Sequence, residues 1–318
     1  MNRITIHPAD PEQDFGQLAA WFTILEGETS TESGLKEYYE KAKERIIHRM
    51  AQNGQGHLVG FSWAGRSVVD SGKYYFSLYV RPEDRGQGVG NRLYEDTAQA
   101  TKEAQGKKLE ANIWDNCPEG LAFAQRHGFI ELRHRLGMAL DLDAFDDRPY
   151  DEIIARMQSE GFRFTSMEEL GNTEEAQRRL YELNDTTGME IPDAGGAHSW
   201  ASFEDFRKSV CQAAWYIPAG QMVVIDTGTG TWAAMCAITR MEGQDYAYNL
   251  HTGVDKRYRG RKLGQAVKVV ALRFAREVLK VHEVRTHNNT GNLPMIAINH
   301  KLGYQQIPGF FVVEKKLI

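Results

Sequence analysis

Two short segments, Arg85-Gly86-Gln87-Gly88-Val89-Gly90 and Arg259-Gly260-Arg261-Lys262-Leu263-Gly264, combine residue types suited to holding a phosphate. Each follows a strand-like run and opens a helical pattern. The first turn of a helix offers backbone N–H groups without intrahelical partners and a partial positive charge. Glycine lets the backbone approach an anion with no Cβ in the way, and arginine adds fixed charge and forked donors. A P-loop would need GxxxxGK[ST], which is absent. A dinucleotide fingerprint would need GxGxxG directly after the strand of a first βαβ unit. Gly86, Gly88 and Gly90 run GxGxG instead, Arg81–Asp84 intervene, and the unit is not the first.

The second loop carries Lys262 where the first has Gly88. Two readings stand side by side. One is a decayed site kept as a structural domain. The other is a variant loop, in which a right-handed helical backbone needs no glycine and the lysine charge favours phosphate. Lys256, Arg257, Arg259, Arg261 and Lys262 make a dense basic run in a chain of net charge −5. Such a run is equally compatible with a solvated face and with an anion site.

The elements that must position these loops repeat along the chain. Arg85 and Arg259 lie 174 residues apart, as do Val80 and Val254. Each loop has a matched sequel, KLEANIWDNCPEGLAFAQRHGF and HEVRTHNNTGNLPMIAINHKLGY. The interval from Gly90 to Gly128 is 38 residues and that from Gly264 to Gly303 is 39. Loops with matched sequels make the chain a tandem of one unit. Its 318 residues suit two domains, placed at 1–147 and 148–318 with the cut inside the connector Asp141–Gly161.

In the first half, strands are expected at Arg3–His7, His57–Ala64, Tyr74–Val80, Lys108–Ile113 and within Phe129–Leu142. Helices are expected at Asp14–Leu25, from Gly88, and from Pro118 to the glycine stop at Gly128. Tyr38, Tyr39, Ala42, Ile46 and Met50 recur at helical spacing, which predicts a helix over Gly34–Met50. The second half repeats this plan. Strands are expected at Phe162–Thr165, Met222–Asp226, Thr231–Arg240, Tyr246–Val254, Glu283–His287 and Phe310–Leu317. Its helices fall at Thr173–Asp185, Phe203–Cys211, Gly264–Leu279 and Asn292–Leu302.

Arg85–Gly90 matches the pattern [Q/R]xxGx[G/A] in full, and LYVRPEDRGQGVGNRLY with FAQRHGF resembles the strand, phosphate loop and later helix of the GNAT N-acetyltransferase superfamily. THNNTGNLPMIAINHKLGY resembles the ending of tandem GNAT proteins related to mycothiol synthase, through Thr286, Asn288, Asn292, Met295, Asn299 and Gly303. In several of these a basic residue occupies the loop position of Lys262. The resemblance implies an α/β fold of two tandem GNAT-like acyl-CoA N-acyltransferase domains. Each would have a mixed, twisted sheet whose central parallel strands splay around acetyl-CoA. Backbone groups near Leu78 and Val80, or near Thr252 and Val254, would pair with the pantetheine arm. Arg85, Gly86, Gln87, Gly88, Val89 and Gly90 would hold the pyrophosphate, as would Arg259, Gly260, Arg261, Lys262, Leu263 and Gly264. Asn116, Asn288 and Asn292 would complete the cofactor sites. The acetyl group would pass directly to an amine without a covalent acyl-enzyme.

Amine acetylation needs a deprotonated nucleophile and a proton for the leaving thiolate. The position where the family often carries a tyrosine acid, four residues before the glycine of the later block, holds Ala124 in one half and Asn299 in the other. Candidates for proton handling come from the strands before the loops: Tyr75 in the first half, Tyr248 and His251 in the second. His251 titrates near neutrality and is the favoured base, beside the plainer reading of a hydrogen-bonded strand histidine. Glu26, Glu28, Glu32, Glu190 and Asp193 could attract a cationic amine or simply be solvated. Cys117 begins a helix, where a thiol pKa falls, but the sequence shows no His/Asp pair beside it.

The net charge argues against sequence-independent nucleic-acid binding. Three cysteines without framework spacing read as reduced thiols. The start, MNRITIHPADPEQDF, lacks the apolar core of a signal peptide, and no apolar run reaches membrane-spanning length. No HExxH, CxxC or EF-hand pattern suggests a metal. The expectation is a cytoplasmic acetyl-CoA-dependent acyltransferase, monomer or homodimer, acting on a small-molecule amine with no membrane or nucleic-acid partner. The rival is an acyl-CoA-binding pseudo-enzyme or sensor.

Overall fold

The computed structural model describes residues 4–26, 30–68, 70–192 and 200–317. Glu28 and Asp193, named above as possible amine attractors, lie outside them, as does the Glu26 side chain.

The chain forms two compact units, residues 1–134 with 310–318, and residues 135–309. A single cut at 147/148 does not describe this division, because the end of the chain returns to the first unit. Each unit holds a mixed sheet of six strands. In the first the strands are β1 (Thr5–Pro8), β2 (Ile46–Gln52), β3 (Leu58–Arg66), β4 (Lys73–Val80), β5 (Lys108–Trp114) and the end of β12 (Gln305–Lys316). They lie in the order β1-β2-β3-β4-β5-β12. β12 closes this sheet antiparallel to β5, from Phe310 opposite Trp114 to Lys316 opposite Lys108.

The second unit uses β6 (Ile130–Asp141), β7 (Phe162–Ser166), β8 (Gln221–Asp226), β9 (Thr231–Thr239), β10 (Ala247–Val254) and β11 (Glu283–Asn289). Their order is β6-β11-β10-β9-β8-β7. Residues 135–141 of β6 run antiparallel to β11. The last strand of each sheet therefore comes from the segment that, in linear order, ends the other half.

One central pair in each sheet is parallel and short. β4 pairs with β5 only over Lys73–Tyr75, and β10 with β11 only over Ala247 and Tyr248. Beyond those residues the strands part, leaving the wedge expected of splayed central strands. Helices cover the sheets with their apolar faces. In the first unit, α1 (Phe15–Glu26) and α2 (Glu32–Ala42) lie over Met50, Phe61 and Tyr79. α3 (Val89–Glu103) and α4 (Pro118–Arg126) pack on Phe76, Leu109 and Val313. In the second unit, α5 (Asp151–Ser159), α8 (Leu263–Glu277) and α9 (Leu293–Leu302) bury Val224, Ala247 and Val284. α6 (Glu174–Met189) and α7 (Phe203–Phe206, continued by a π turn to Cys211) bury Val223 and Met235.

The helix expected over Gly34–Met50 is a correction. Thr31 caps α2 by accepting from the Gly34 N–H, the helix ends at Ala42, and Ile46–Gln52 is strand β2. The i,i+4 spacing of Ala42, Ile46 and Met50 spans a helix end and a strand start. Pairing with both β1 and β3 decides the strand, since it satisfies backbone groups on both edges. No helix among the described residues is long and apolar enough to cross a membrane.

Candidate active site

α3 and α8 each begin at the mouth of a wedge. Both are 15-residue helices whose N-cap residue, Gly88 or Lys262, is left-handed and provides no side-chain cap. The first-turn N–H groups are thus left for a ligand or water. Gly86 and Gly260 are also left-handed, at φ +74° and +78°, so the two loops share one backbone course. A Cβ built on Gly86, Gly88 or Gly260 would meet nothing within 4 Å. These glycines face open space, and their requirement is conformational.

Gly90 and Gly264 serve a different purpose. A Cβ on Gly90 would come 3.3 Å from Phe123 of α4 and 3.7 Å from Val80, and one on Gly264 3.1 Å from Val254, so both allow the helix to sit close on the strand before it. Val89 and Leu263 are buried beneath their loops, 1% exposed each, and act as anchors.

Lys262 differs from its expected conformation. It stands at φ +65°, beside φ +83° for Gly88, so this position is left-handed rather than right-handed helical. A non-glycine residue there costs roughly 1–2 kcal/mol. The arginines behave alike in both loops. Arg85 Nε donates to the Val80 carbonyl at 3.1 Å, and Arg259 Nε to the Val254 carbonyl at 3.2 Å. Arg85 also reaches Glu119 at 3.1 Å, while Arg259 pairs with Glu190. Each arginine thus ties its loop to the strand end as well as adding charge. Gln87 donates to the Glu83 carbonyl, a turn contact.

The two loops differ in charge. Over 81–90, Arg81 and Arg85 balance Glu83 and Asp84. Over 255–264, five basic residues against Asp255 leave +4. Arg257 is paired with Asp255, and Arg261 lies 5.8 Å from the ring centroids of both Phe162 and Tyr258. Lys256 and Lys262 make no ion pair among the described residues, so part of that charge remains for an anion.

The strand walls differ too. β4 pairs with β3 in continuous register, whereas β10 slips against β9 between Asn249 and His251, with Leu250 as the extra residue. Asn249 braces this bulge. Its Nδ2 donates to the Ala237 and His251 carbonyls at 2.8 and 3.2 Å, and its Oδ1 accepts from Thr252 at 3.1 Å. The Thr252 side chain is therefore committed inward, leaving its backbone for any pairing with an extended ligand. Leu78 packs with the apolar residues under α3 and α4.

His251 turns toward α6. Its Nε2 lies 2.8 Å from Thr187 Oγ1, whose one hydrogen is directed to the Leu183 carbonyl at 2.7 Å. The ring therefore donates through Nε2 and keeps a lone pair on Nδ1. Burial pushes its pKa down to about 4, so it is neutral at pH 7 and only a weak base. Tyr248 occupies the last parallel pair before the wedge opens, and its phenol lies 2.7 Å from His287 Nδ1. The two rings stack at 5.8 Å. His287 was not singled out by sequence, because its partner lies 39 residues away on the neighbouring strand. Tyr75 is half exposed at the corresponding branch point of the first unit, with Lys73 Nζ 4.6 Å from its ring centroid.

The asparagines separate into different roles. Asn116 is exposed in the turn after β5. Asn292 caps α9, its Oδ1 accepting from the Met295 N–H. Asn288 is joined to buried Asn299. Ala124 and Asn299, at the positions of the absent tyrosine acid, are 5% and 0% exposed. Cys117 stands at the N-cap position of α4 without a side-chain capping bond, and two residues before it Asp115 Oδ2 meets His134 Nε2 at 3.0 Å, a pairing that only the fold reveals. Among the described residues no group of three or more metal-ligating side chains is assembled.

Residues 45–131, which include the first loop, match the acetyltransferase (GNAT) domain family. The chain is 24% identical over 298 residues to a mycothiol acetyltransferase from Geodermatophilus obscurus, covering 90% of each protein. Among solved structures, a tandem GNAT protein from the clavulanic acid biosynthesis pathway aligns over 99% of both chains with TM-score 0.74 at 18% identity. A GCN5-related N-acetyltransferase from Sphaerobacter thermophilus covers 99% of this chain and 96% of its own with TM-score 0.73 at 15% identity.

Proposed function

We propose that the chain is a tandem GNAT acyltransferase that moves an acetyl group from acetyl-CoA directly to a primary amine of a small molecule, with no covalent acyl-enzyme. The observation that carries this reading is the twice-built wedge. In each unit, parallel strands part after two or three pairs, and the uncapped N-terminus of a helix stands at the mouth. The parted strand edges suit an extended pantetheine arm, and the helix N-terminus suits a pyrophosphate. The open space above Gly86, Gly88 and Gly260 fits close approach of phosphate oxygens.

In the transfer a C–N bond forms and the C–S bond of the thioester breaks. The amine nitrogen loses one proton and the leaving sulfur gains one. In the second unit we assign the proton for sulfur to Tyr248, whose phenol is hydrogen-bonded to His287 at the branch of β10 and β11. His251 holds α6 against the bulged strand and stays neutral. In the first unit Tyr75 stands at the branch point. We place this work in the cytoplasm, where the three free cysteines would stay reduced, in a monomer or homodimer.

Native mass measurement with acetyl-CoA tests the reading. Two molecules bound per chain is the expected result, with thiol release on addition of a panel of small amines. No bound acetyl-CoA would sink it. A second reading, an acyl-CoA-binding sensor, draws on Ala124 and Asn299, neither of which can donate a proton as an acid. Tight binding without thiol release from any amine would favour it.

A further inference from the structure

Lys268 lies on α8 in the interior of the second unit, 1% exposed, and forms no ion pair among the described residues. An unpaired buried ammonium is costly, and a methionine of similar volume would fill the space without that cost. What the ammonium does can be read from its neighbours. Its Nζ donates to Asn299 Oδ1 at 2.5 Å and stands 4.7 Å from the centroid of the Tyr304 ring.

An ammonium has only donors, so the Asn299 atom facing it must be the carbonyl oxygen. Asn299 Nδ2 is thereby turned to Asn288 Oδ1 at 2.7 Å, with Met138 Sδ at 3.5 Å. With its oxygen accepting from Asn299, half-buried Asn288 has its amide orientation fixed, and its Nδ2 N–H groups, which have no acceptor among the described residues, are turned away from Asn299 as donors. Asn288 stands three residues beyond Arg285, the last β11 residue paired with β10, and therefore flanks the wedge. The corresponding positions in the first unit are Tyr94, Ala124 and Ile113, which pack in its apolar core.

We propose that Lys268 is a positioning residue. Through Asn299 it holds the Asn288 amide as a hydrogen-bond donor to a carbonyl oxygen of the acyl-pantetheine arm in the second wedge. This rests on the acetyl-CoA reading above. Burial lowers the Lys268 pKa to about 8. The ionisable groups packed against it, Cys236 and Tyr304, are both shifted upward by burial and stay neutral in that range. Above about pH 8 the free amine can accept as well as donate, and the amide chain loses its enforced polarity.

The test uses the full chain, with Lys268→Met, Asn288→Leu and the double variant, each in a Gly88→Glu background so that only the second loop is read. Side-chain amides of asparagine-selectively ¹⁵N-labelled protein are followed from pH 6.5 to 9.5 without ligand, and acetyl-CoA affinity is measured by calorimetry over the same range. The Asn288 and Asn299 amides should titrate together near pH 8 and stop doing so in Lys268→Met. Either single variant should weaken acetyl-CoA by about tenfold, the double variant no further, and affinity should fall through pH 8 only when Lys268 is present.

Unchanged affinity in Lys268→Met, or losses that add in the double variant, would overturn the proposal. Acetyl-CoA binding with amides that do not titrate would refute the Lys–Asn–Asn arrangement and leave the acetyl-CoA reading standing. Titrating amides in a protein that binds no acetyl-CoA would refute that reading and the role with it. Lys268→Met removes a buried charge but also the donor to buried Asn299 Oδ1, so its Tm is measured before affinities are compared. If it does not fold, Asn288→Leu decides on affinity alone.

Discussion

At the start of α3 and α8 one backbone course is built from different residues. Gly86 and Gly88 in the first unit become Gly260 and Lys262 in the second, with left-handed conformations kept at all four. The first unit reaches this course with two glycines and a loop of zero net charge. The second accepts a strained lysine and gains a loop of +4. The same contrast continues inward. Where the first unit packs Tyr94, Ala124 and Ile113, the second holds Lys268, Asn299 and Asn288 in a hydrogen-bonded row. Where β4 runs evenly along β3, β10 carries a bulge at Leu250. A bulge re-aims side chains locally and is a recurrent feature beside active sites. Polar investment is concentrated in the second wedge, while the first retains the complete glycine pattern.

The largest effect should come from Gly88→Glu. A left-handed residue gains a Cβ, and a carboxylate is brought to the helix start where a phosphate would sit. The first site should weaken by more than about 100-fold, taken as the order of a strained and charge-reversed phosphate contact, and native mass spectra should show one acetyl-CoA in place of two. Two retained equivalents would break the assignment of the first loop.

Next in size is Tyr248→Phe, which removes the phenol at the second branch point. If the second unit turns over, kcat should drop by about 10² while KM for acetyl-CoA changes little. Tyr75→Phe is the matched control in the first unit, and the larger of the two losses identifies the working half.

An acid-stability comparison concerns His48. It sits in the first unit against Phe15, Tyr39 and Trp63, with neither ring nitrogen hydrogen-bonded among the described residues, and burial lowers its pKa to about 3. A histidine depressed in the fold contributes stability above its unfolded pKa near 6.5 and loses it as pH falls toward the folded value. About 2 kcal/mol should be gone by pH 5. His48→Phe should shrink the difference between urea midpoints at pH 7 and pH 5 by that amount. An unchanged difference would show that the ring is hydrated. His251 in the second unit has the same sign over a narrower window, between 6.5 and about 4.

The smallest expected effect sharpens the loop comparison itself. Lys262→Gly removes left-handed strain and should raise stability by about 1 kcal/mol or less, the glycine's extra unfolded-state freedom offsetting part of the gain. It should also weaken acetyl-CoA several-fold at low salt and flatten the salt dependence of the second site. Loss of stability would mean that the lysine side chain packs in the fold.

The elements beside the loops were largely legible because their signals are local. Alternation marks β4 and β10, helical spacing marks α3 and α8, and glycines mark the stops at Gly128 and Gly303. Ile46–Gln52 has the spacing of a helix because its apolar residues continue those of α2, and only pairing on both edges settles it as strand. In the site, loop membership was readable, but the direction of a side chain was not. His251 turns its Nε2 to Thr187, and His287 and Lys268 find their polar partners 39 and 31 residues away, where no local spacing points to them.

By itself the sequence determined that the chain holds two copies of a strand, an arginine–glycine loop and a helix, since conformation and unpaired N–H groups at a helix start depend on a few adjacent residues. Tertiary structure alone decided which strand closes which sheet. Residues 135–141 and 310–316 both read as sheet-closing strands, and nothing local says that 310–316 returns to β5 while 135–141 joins β11. It also decided which polar groups meet. Tyr248 with His287, and Lys268 with Asn299 and Asn288, are brought together by strand register and helix packing across long stretches of chain, where burial turns their hydrogen bonds into fixed geometry.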